Sequence, residues 1–138
     1  MKFFAAVLAL TTLLPAALAT DVRYDTTYDA KDGSLATVAC SDGANGLLTK
    51  GFTTFGSLPS FPNIGAAQAV AGWNSTACGT CWQLAYKGES IFVTAVDHAG
   101  DGFNIALAAL NTLTNGTAVQ VGIISATATQ VAASKCGL

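Results

Sequence analysis

Apolar and polar positions alternate most clearly in the second half of the chain. Residues 81–86, "CWQLAY", and 90–97, "SIFVTAVD", are rich in large apolar and β-branched side chains. Lys87-Gly88-Glu89 between them has the composition of a tight turn, so the pair predicts a β-hairpin. "ATVAC", Ala36 to Cys40, alternates in the same way and ends in the turn-rich Ser41-Asp42-Gly43-Ala44-Asn45-Gly46. "RYDTTYDA", from Arg23, alternates tyrosine and aspartate and reads as an edge strand. The pattern changes from Ile105 to about Leu113, where Ala and Leu dominate. Asn104 is a suitable N-cap there, and Asn115-Gly116 can take the left-handed conformation past the end, which predicts a helix. From Ser57 to Ala71 a proline-punctuated loop closes in a short helical turn, and Thr117–Val131 returns as an alternating β segment broken into two strands. Short strands apolar on both faces, with one or two short helices, predict a mainly β domain closed into a small barrel.

Ahead of this pattern lies a different one. Lys2 is followed by the apolar run "FFAAVLALTTLLPAAL", and Ala17-Leu18-Ala19 has the small-x-small spacing that signal peptidase cuts. Residues 1–19 are therefore expected to be a secretory signal, and residues 20–138 a single domain. Pro15 interrupts the run, and it falls short of the roughly 20 apolar residues that span a bilayer, so no transmembrane segment is expected.

Without Lys2, five basic groups face eight acidic ones. That balance argues against nucleic acid, which is bound through basic contacts to phosphate. Charged residues make up 10% of the chain, against roughly 25% in an average domain. The surface must then be largely neutral, which suits polysaccharides or apolar interfaces.

Four cysteines in a small secreted domain favour two disulfides. The Cys78-Gly79-Thr80-Cys81 spacing is also found in metal and redox sites. Zinc would need a second short-spaced pair, whereas Cys40 and Cys136 stand apart and His98 is the lone histidine. A redox dithiol would open a helix, and here a strand follows. Connectivities that send Cys78 and Cys81 to different partners are preferred, because a bridge between near neighbours gains little chain entropy. No metal or other cofactor is expected. Trp73 and Trp82 flank these cysteines and are expected to pack in the core against a disulfide, and His98 to be a satisfied structural histidine.

The segments "CSDGANGL", "FPNIGAAQAVAGWNSTACGTCW", "AVDHAGDGFNIAL" and "SATATQV…CGL", in this order and spacing, resemble the cerato-platanin family of small secreted fungal proteins. The resemblance implies a six-stranded double-psi β-barrel related to the first domain of expansins, stapled by Cys40–Cys78 and Cys81–Cys136. The sequence departs from the family pattern at Ala44, in a slightly shorter "TKGFTTF", and at Asn74-Ser75-Thr76, a glycosylation sequon. Asn115-Gly116-Thr117 is a second sequon.

Glycosidases on related barrels use two carboxyl groups across the scissile bond. The resemblance places Gly102-Phe103-Asn104 where they have their acid, and an amide cannot donate a proton as a carboxylic acid does. The implied function is thus non-catalytic. It is the binding of chitin-type N-acetylglucosamine oligomers or other wall polysaccharide, with expansin-like wall loosening and, through a plant immune receptor, elicitation of defence. The carbohydrate-binding residues it implies are Asp97, Asn104, Tyr24, Asp25 and Tyr28. Asp101 is a substitute carboxylate in what reads as an exposed turn. The other function that the low charge allows is a surface-active, self-assembling protein of the fungal wall, spreading at air–water boundaries. Either way the protein is expected outside the cell, free or bound to the wall.

Overall fold

The computed structural model describes residues 16–138 and, before them, Ala6 and Ala9 alone, so most of the expected leader lies outside the described residues. The chain forms six strands: β1 (Leu18–Tyr24), β2 (Ile64–Ala67), β3 (Cys81–Tyr86), β4 (Glu89–His98), β5 (Phe103–Ile105) and β6 (Ile123–Val131). Two helices, α1 (Leu107–Thr114) and α2 (Ala118–Val121), lie between β5 and β6. The strands close in the order β1-β5-β2-β4-β3-β6, with β6 returning to β1. The β1–β5 and β2–β4 pairs are parallel and the others antiparallel. Strand β1 begins two residues ahead of the expected cleavage point, with Leu18 and Ala19 paired to Ala128 and Thr127.

The predicted hairpin is β3–β4. Its two-residue turn, Lys87-Gly88, has positive φ at both positions (45° and 83°), the twist that suits a two-residue hairpin. Along β6 the exposed Ile123, Ser125 and Thr127 alternate with buried Ile124, Ala126 and Ala128, so one face meets the barrel interior. Val22, Ile64, Leu84, Val93 and Ile105 fill that interior, and α1 adds Leu110 and Leu113 to the same core. Both expected disulfides are present, Cys40–Cys78 and Cys81–Cys136, and no cysteine is free among the described residues.

Several local expectations are corrected. The helix starts at Leu107, not Ile105, and Asn104 is a strand residue in β5 rather than its cap. "ATVAC" enters a 3-10 turn at Leu35–Thr37, because Ser34 accepts from Ala36 N and turns the chain. After the proline loop the chain forms β2, not a helical turn; insertion between β4 and β5 overrides local propensity there. Thr117–Val131 is one strand preceded by α2, and Gly122 at φ 69° marks the change. "RYDTTYDA" leaves β1 after Tyr24 and coils into a 3-10 turn at Thr26–Asp29. Since the barrel is closed, β1 is not an edge.

Candidate functional site

The 3-10 turn after β1 carries three polar side chains with separate tasks. Asp25 accepts from Thr27 N at 2.9 Å and so closes the turn itself. Asp29 reaches the start of α1, where its two oxygens accept from Leu107 N (2.7 Å) and Ala108 N (2.9 Å). These are two of the N–H groups that a helix leaves without internal partners, and no side chain of α1's own N-terminal residues caps them. Tyr28 points between the other two into the core, 6% exposed, with its ring tilted against Phe55 at 6.0 Å.

The Tyr28 hydroxyl donates to Asp97 Oδ2 at 2.9 Å. Asp97 Oδ1 accepts from Ala39 N at 3.0 Å and His98 N at 2.9 Å. Burial first, and then the hydrogen bond and charge of Asp97 and the charge of Asp25, push the Tyr28 phenol well above the usual tyrosine value. It therefore remains a donor throughout the physiological range. His98 itself is exposed, and its Nδ1 lies 2.6 Å from the Val70 carbonyl oxygen, which fixes the proton on Nδ1.

Strand register sets Asp97 in a row with other side chains. Asp97 is the partner of Ala66 on β2, Ala66 of Asn104 on β5, and Asn104 of Arg23 on β1. Neighbouring strands are about 4.8 Å apart, so the backbones of Asp97 and Asn104 are separated by roughly 10 Å across the methyl group of Ala66. The row, which crosses a register shift between Gly65 and Ala66, is a trough in outline only, set by one small residue between longer ones. Ala66 is buried, Asp97 and Asn104 on either side are half-buried, and Arg23 one strand further out is exposed. Gly65 permits this spacing, because a Cβ there would stand 2.5 Å from the Asn104 carbonyl oxygen and 2.6 Å from Ile105 Cα. Arg23 ion-pairs at 3.8 Å with both Asp21 and Asp101, which tethers the exposed turn containing Asp101 to β1.

The structure thus joins Asp97 and Tyr28 directly and aligns Asn104 with Asp97. Tyr24 and Asp25 follow Arg23 at the end of β1, but Tyr24 pairs with Ile105 and packs on the core instead of entering the row. Arg23 was not singled out in the sequence, although the alternation Val22 in, Arg23 out was available to find it. Trp82, expected in the core against a disulfide, is half-buried at its edge, packed edge-on to Phe103 at 5.5 Å with Nε1 donating to Thr80 Oγ1. Trp73 is not in the core: it is 63% exposed. A separate, mostly apolar hollow of about 320 Å³, lined by Leu18, Gln68, Trp82 and Phe103 among others, contains none of the expected site residues. No three His, Cys, Asp or Glu side chains group as a metal site among the described residues.

The Cerato-platanin family model matches residues 20–138. The chain belongs to the cerato-platanin family. The heat-stable 19 kDa antigen of Coccidioides immitis is 47% identical over 128 residues, 93% of this chain and 88% of the antigen. The crystal structure of cerato-platanin 3 from M. perniciosa matches with a TM-score of 0.85 at 51% identity, covering 88% of this chain and 100% of that one. The solution structure of the fungal elicitor Cerato-Platanin matches with a TM-score of 0.76 at 39% identity, over 84% and 95%. The double-psi barrel and its two bridges are the fold of this family member, and no described helix is long and apolar enough to cross a membrane.

Proposed function

We propose that the chain is a secreted, non-hydrolytic carbohydrate-binding protein, recognising N-acetylglucosamine oligomers or a related wall polysaccharide, with wall loosening and defence elicitation as its consequences. The observation that carries this reading is the row Asp97–Ala66–Asn104–Arg23. A carboxylate accepts sugar hydroxyls, an amide both donates and accepts, and a guanidinium donates. Tyr28 acts here as a positioning residue that holds Asp97, while Tyr24 and Asp25 follow Arg23 along the chain and contribute through the end of β1 and the turn after it. Hydrolysis is not part of the reading. General acid–base catalysis supplies about 10²–10⁴-fold, and Asn104 cannot serve as its acid. Elicitation through a plant immune receptor is supported by family membership and by the elicitor among the structural relatives.

NMR titration with N-acetylglucosamine oligomers tests the site. The amides of Asp97, Asn104 and Arg23 should move together and saturate, and Asp97→Asn should weaken binding. Unchanged affinity in that variant rejects the assignment, and reducing sugar released above a heat-killed control rejects the non-hydrolytic reading.

Glycosylation belongs to the same proposal, and Asn115 is the better of the two sequons. It is exposed at φ 55° just past α1, whereas the Asn74 side-chain oxygen already accepts from Asn45 N at 3.0 Å. Intact mass of Asn115→Gln, secreted from a eukaryotic host, should lack the glycan that wild type carries. The surface-active reading has one observation in its favour, the exposed Val119, Val121 and Ile123 on α2 and the start of β6. Changing all three to serine should abolish any lowering of surface tension if that face spreads at the interface.

A further inference from the structure

Trp73 is the largest apolar side chain left in solvent among the described residues, and the chain devotes several contacts to holding it there. Its indole Nε1 donates to Asp42 Oδ1 at 2.6 Å, which satisfies the ring's one polar atom and fixes its direction. The loop containing Asp42 and the loop containing Trp73 are joined by the Cys40–Cys78 bridge. They are joined again by Asn45, whose backbone N and side-chain Nδ2 donate to Asn74 Oδ1 and to the Asn74 carbonyl, both at 3.0 Å. Gly43 sits beneath, at φ 81°: a Cβ there would stand 2.7 Å from Asn74 Oδ1 and 3.1 Å from Trp73 Cζ2. A ring so fixed is exposed without being loose. The Cys40–Cys78 bridge belongs to the core, but the hydrogen bonds above it and the indole do not, and the core cluster is complete without the ring.

We infer that the Trp73 ring, with the Asp42 carboxylate at its edge, is a stacking platform for one unit of a neutral, β-linked pyranose chain, a subsite separate from the Asp97–Asn104 trough. Such a sugar carries its hydroxyls around the equator and leaves flat C–H faces. Those weakly positive C–H groups meet the electron-rich face of an indole. Asp42 Oδ1 is taken by Trp73, and Oδ2 is available to accept an equatorial hydroxyl in a charge-assisted bond. The same carboxylate, in a chain of net charge −2, disfavours acidic polysaccharides. Holding the ring in place beforehand removes much of the ordering cost of a single-ring contact. The inference takes its ligand class from the proposed function, but it does not depend on the trough.

The test uses the mature protein and two probes, chitotetraose and cellotetraose, which share the β-1,4-linked backbone and differ in the N-acetyl group. The two tryptophans give two indole N–H signals, assigned through Trp73→Phe. The Trp73 signal should shift and saturate with at least one probe while that of Trp82 stays in place. Response to both probes assigns the platform to the shared ring face, and response to chitotetraose alone assigns it to the N-acetylated chain. Trp73→Ala should weaken binding roughly tenfold, equivalent to about 1.4 kcal/mol. Trp73→Phe should retain part of the affinity, and Asp42→Asn should relax the discrimination against an acidic oligosaccharide. The thermal midpoint of each variant is measured alongside, since an exposed ring can be removed without opening the core.

Loss of binding in Trp73→Ala with unchanged binding in Asp97→Asn would sink the trough and leave the platform standing. Movement of the Asp97 and Asn104 amides with a stationary Trp73 signal would do the reverse. A Trp73 signal that moves with protein concentration, and not with sugar, would show that a second copy covers the ring and would overturn the inference.

Discussion

At Asp97 one carboxylate serves two purposes that a single substitution does not separate. It accepts from Tyr28, Ala39 and His98, so Asp97→Ala leaves a buried phenol and two backbone N–H groups without this acceptor. An unsatisfied buried group costs about 1–3 kcal/mol, and the urea midpoint of Asp97→Ala should fall accordingly. Asp97→Asn keeps the shape and one acceptor oxygen, and should lose far less. Equal midpoints for wild type and Asp97→Ala would mean that this network contributes nothing to stability. The Tyr28 phenol provides a pH test with a definite sign. Its proton is held more tightly in the folded state than in the unfolded chain, where it leaves near pH 10. The stabilisation is complete below about pH 10 and is lost as pH rises through the elevated folded value. Tyr28→Phe should therefore flatten the alkaline decline in stability followed by denaturation between pH 9 and 12. A parallel decline in both proteins would rule out Tyr28 as its source.

Helix α1 shows how one element can depend on another far away in the sequence. Its first N–H groups are satisfied by Asp29, 78 and 79 positions earlier, and no neighbouring side chain replaces it. Removing a cap costs about 1–2 kcal/mol. Asp29→Ala should lower the unfolding free energy by that amount, read as a lower urea midpoint at unchanged slope, and amide exchange should accelerate first at Leu107 and Ala108. Protection unaltered at those two amides would show that water caps the helix equally well. The same arrangement explains what the sequence could disclose. The β3–β4 hairpin, the end of α1 at Asn115 and the alternation of β6 follow from local pattern, and each is found. The start of α1 and the strand β2 do not, because long-range partners decide them, Asp29 and the β4–β5 gap. The 3-10 turn at Thr26–Asp29 rests on a local cap, Asp25, inside a segment whose alternation reads as a strand. Asn104 resembled a cap because its true position, between Arg23 and Ala66, is a matter of register that no window of sequence contains. Trp73 was misplaced for a related reason, since proximity to a disulfide in sequence says nothing about which side of the loop the ring occupies.

Across the whole molecule the two disulfides close separations of 38 and 55 residues. On chain entropy their contributions differ by only about 0.3 kcal/mol, within a typical 2–5 kcal/mol each. Location separates them instead. Replacing Cys40 and Cys78 by serine should loosen the Trp73 loop and change the indole signal, whereas replacing Cys81 and Cys136 should release the end of the chain from β3 and leave that signal in place. Matching spectra for the two double variants would contradict this division. The barrel itself is sealed by β1 against β6, strands about a hundred residues apart. Chain order therefore becomes an order of assembly. As the polypeptide emerges from a ribosome or a translocon, the β3–β4 hairpin can form from adjacent residues, but β1 has no antiparallel neighbour until β6 has been made. Closing so long a loop before it is rewarded by contacts slows folding. Throughout that interval Leu18, Ala19 and Thr20 lack their partners Ala128, Thr127 and Ala126, and the backbone there is open to proteolysis. Once the seam closes, the same backbone lies inside a paired strand, so the last strand to be synthesised ends the exposure of the first.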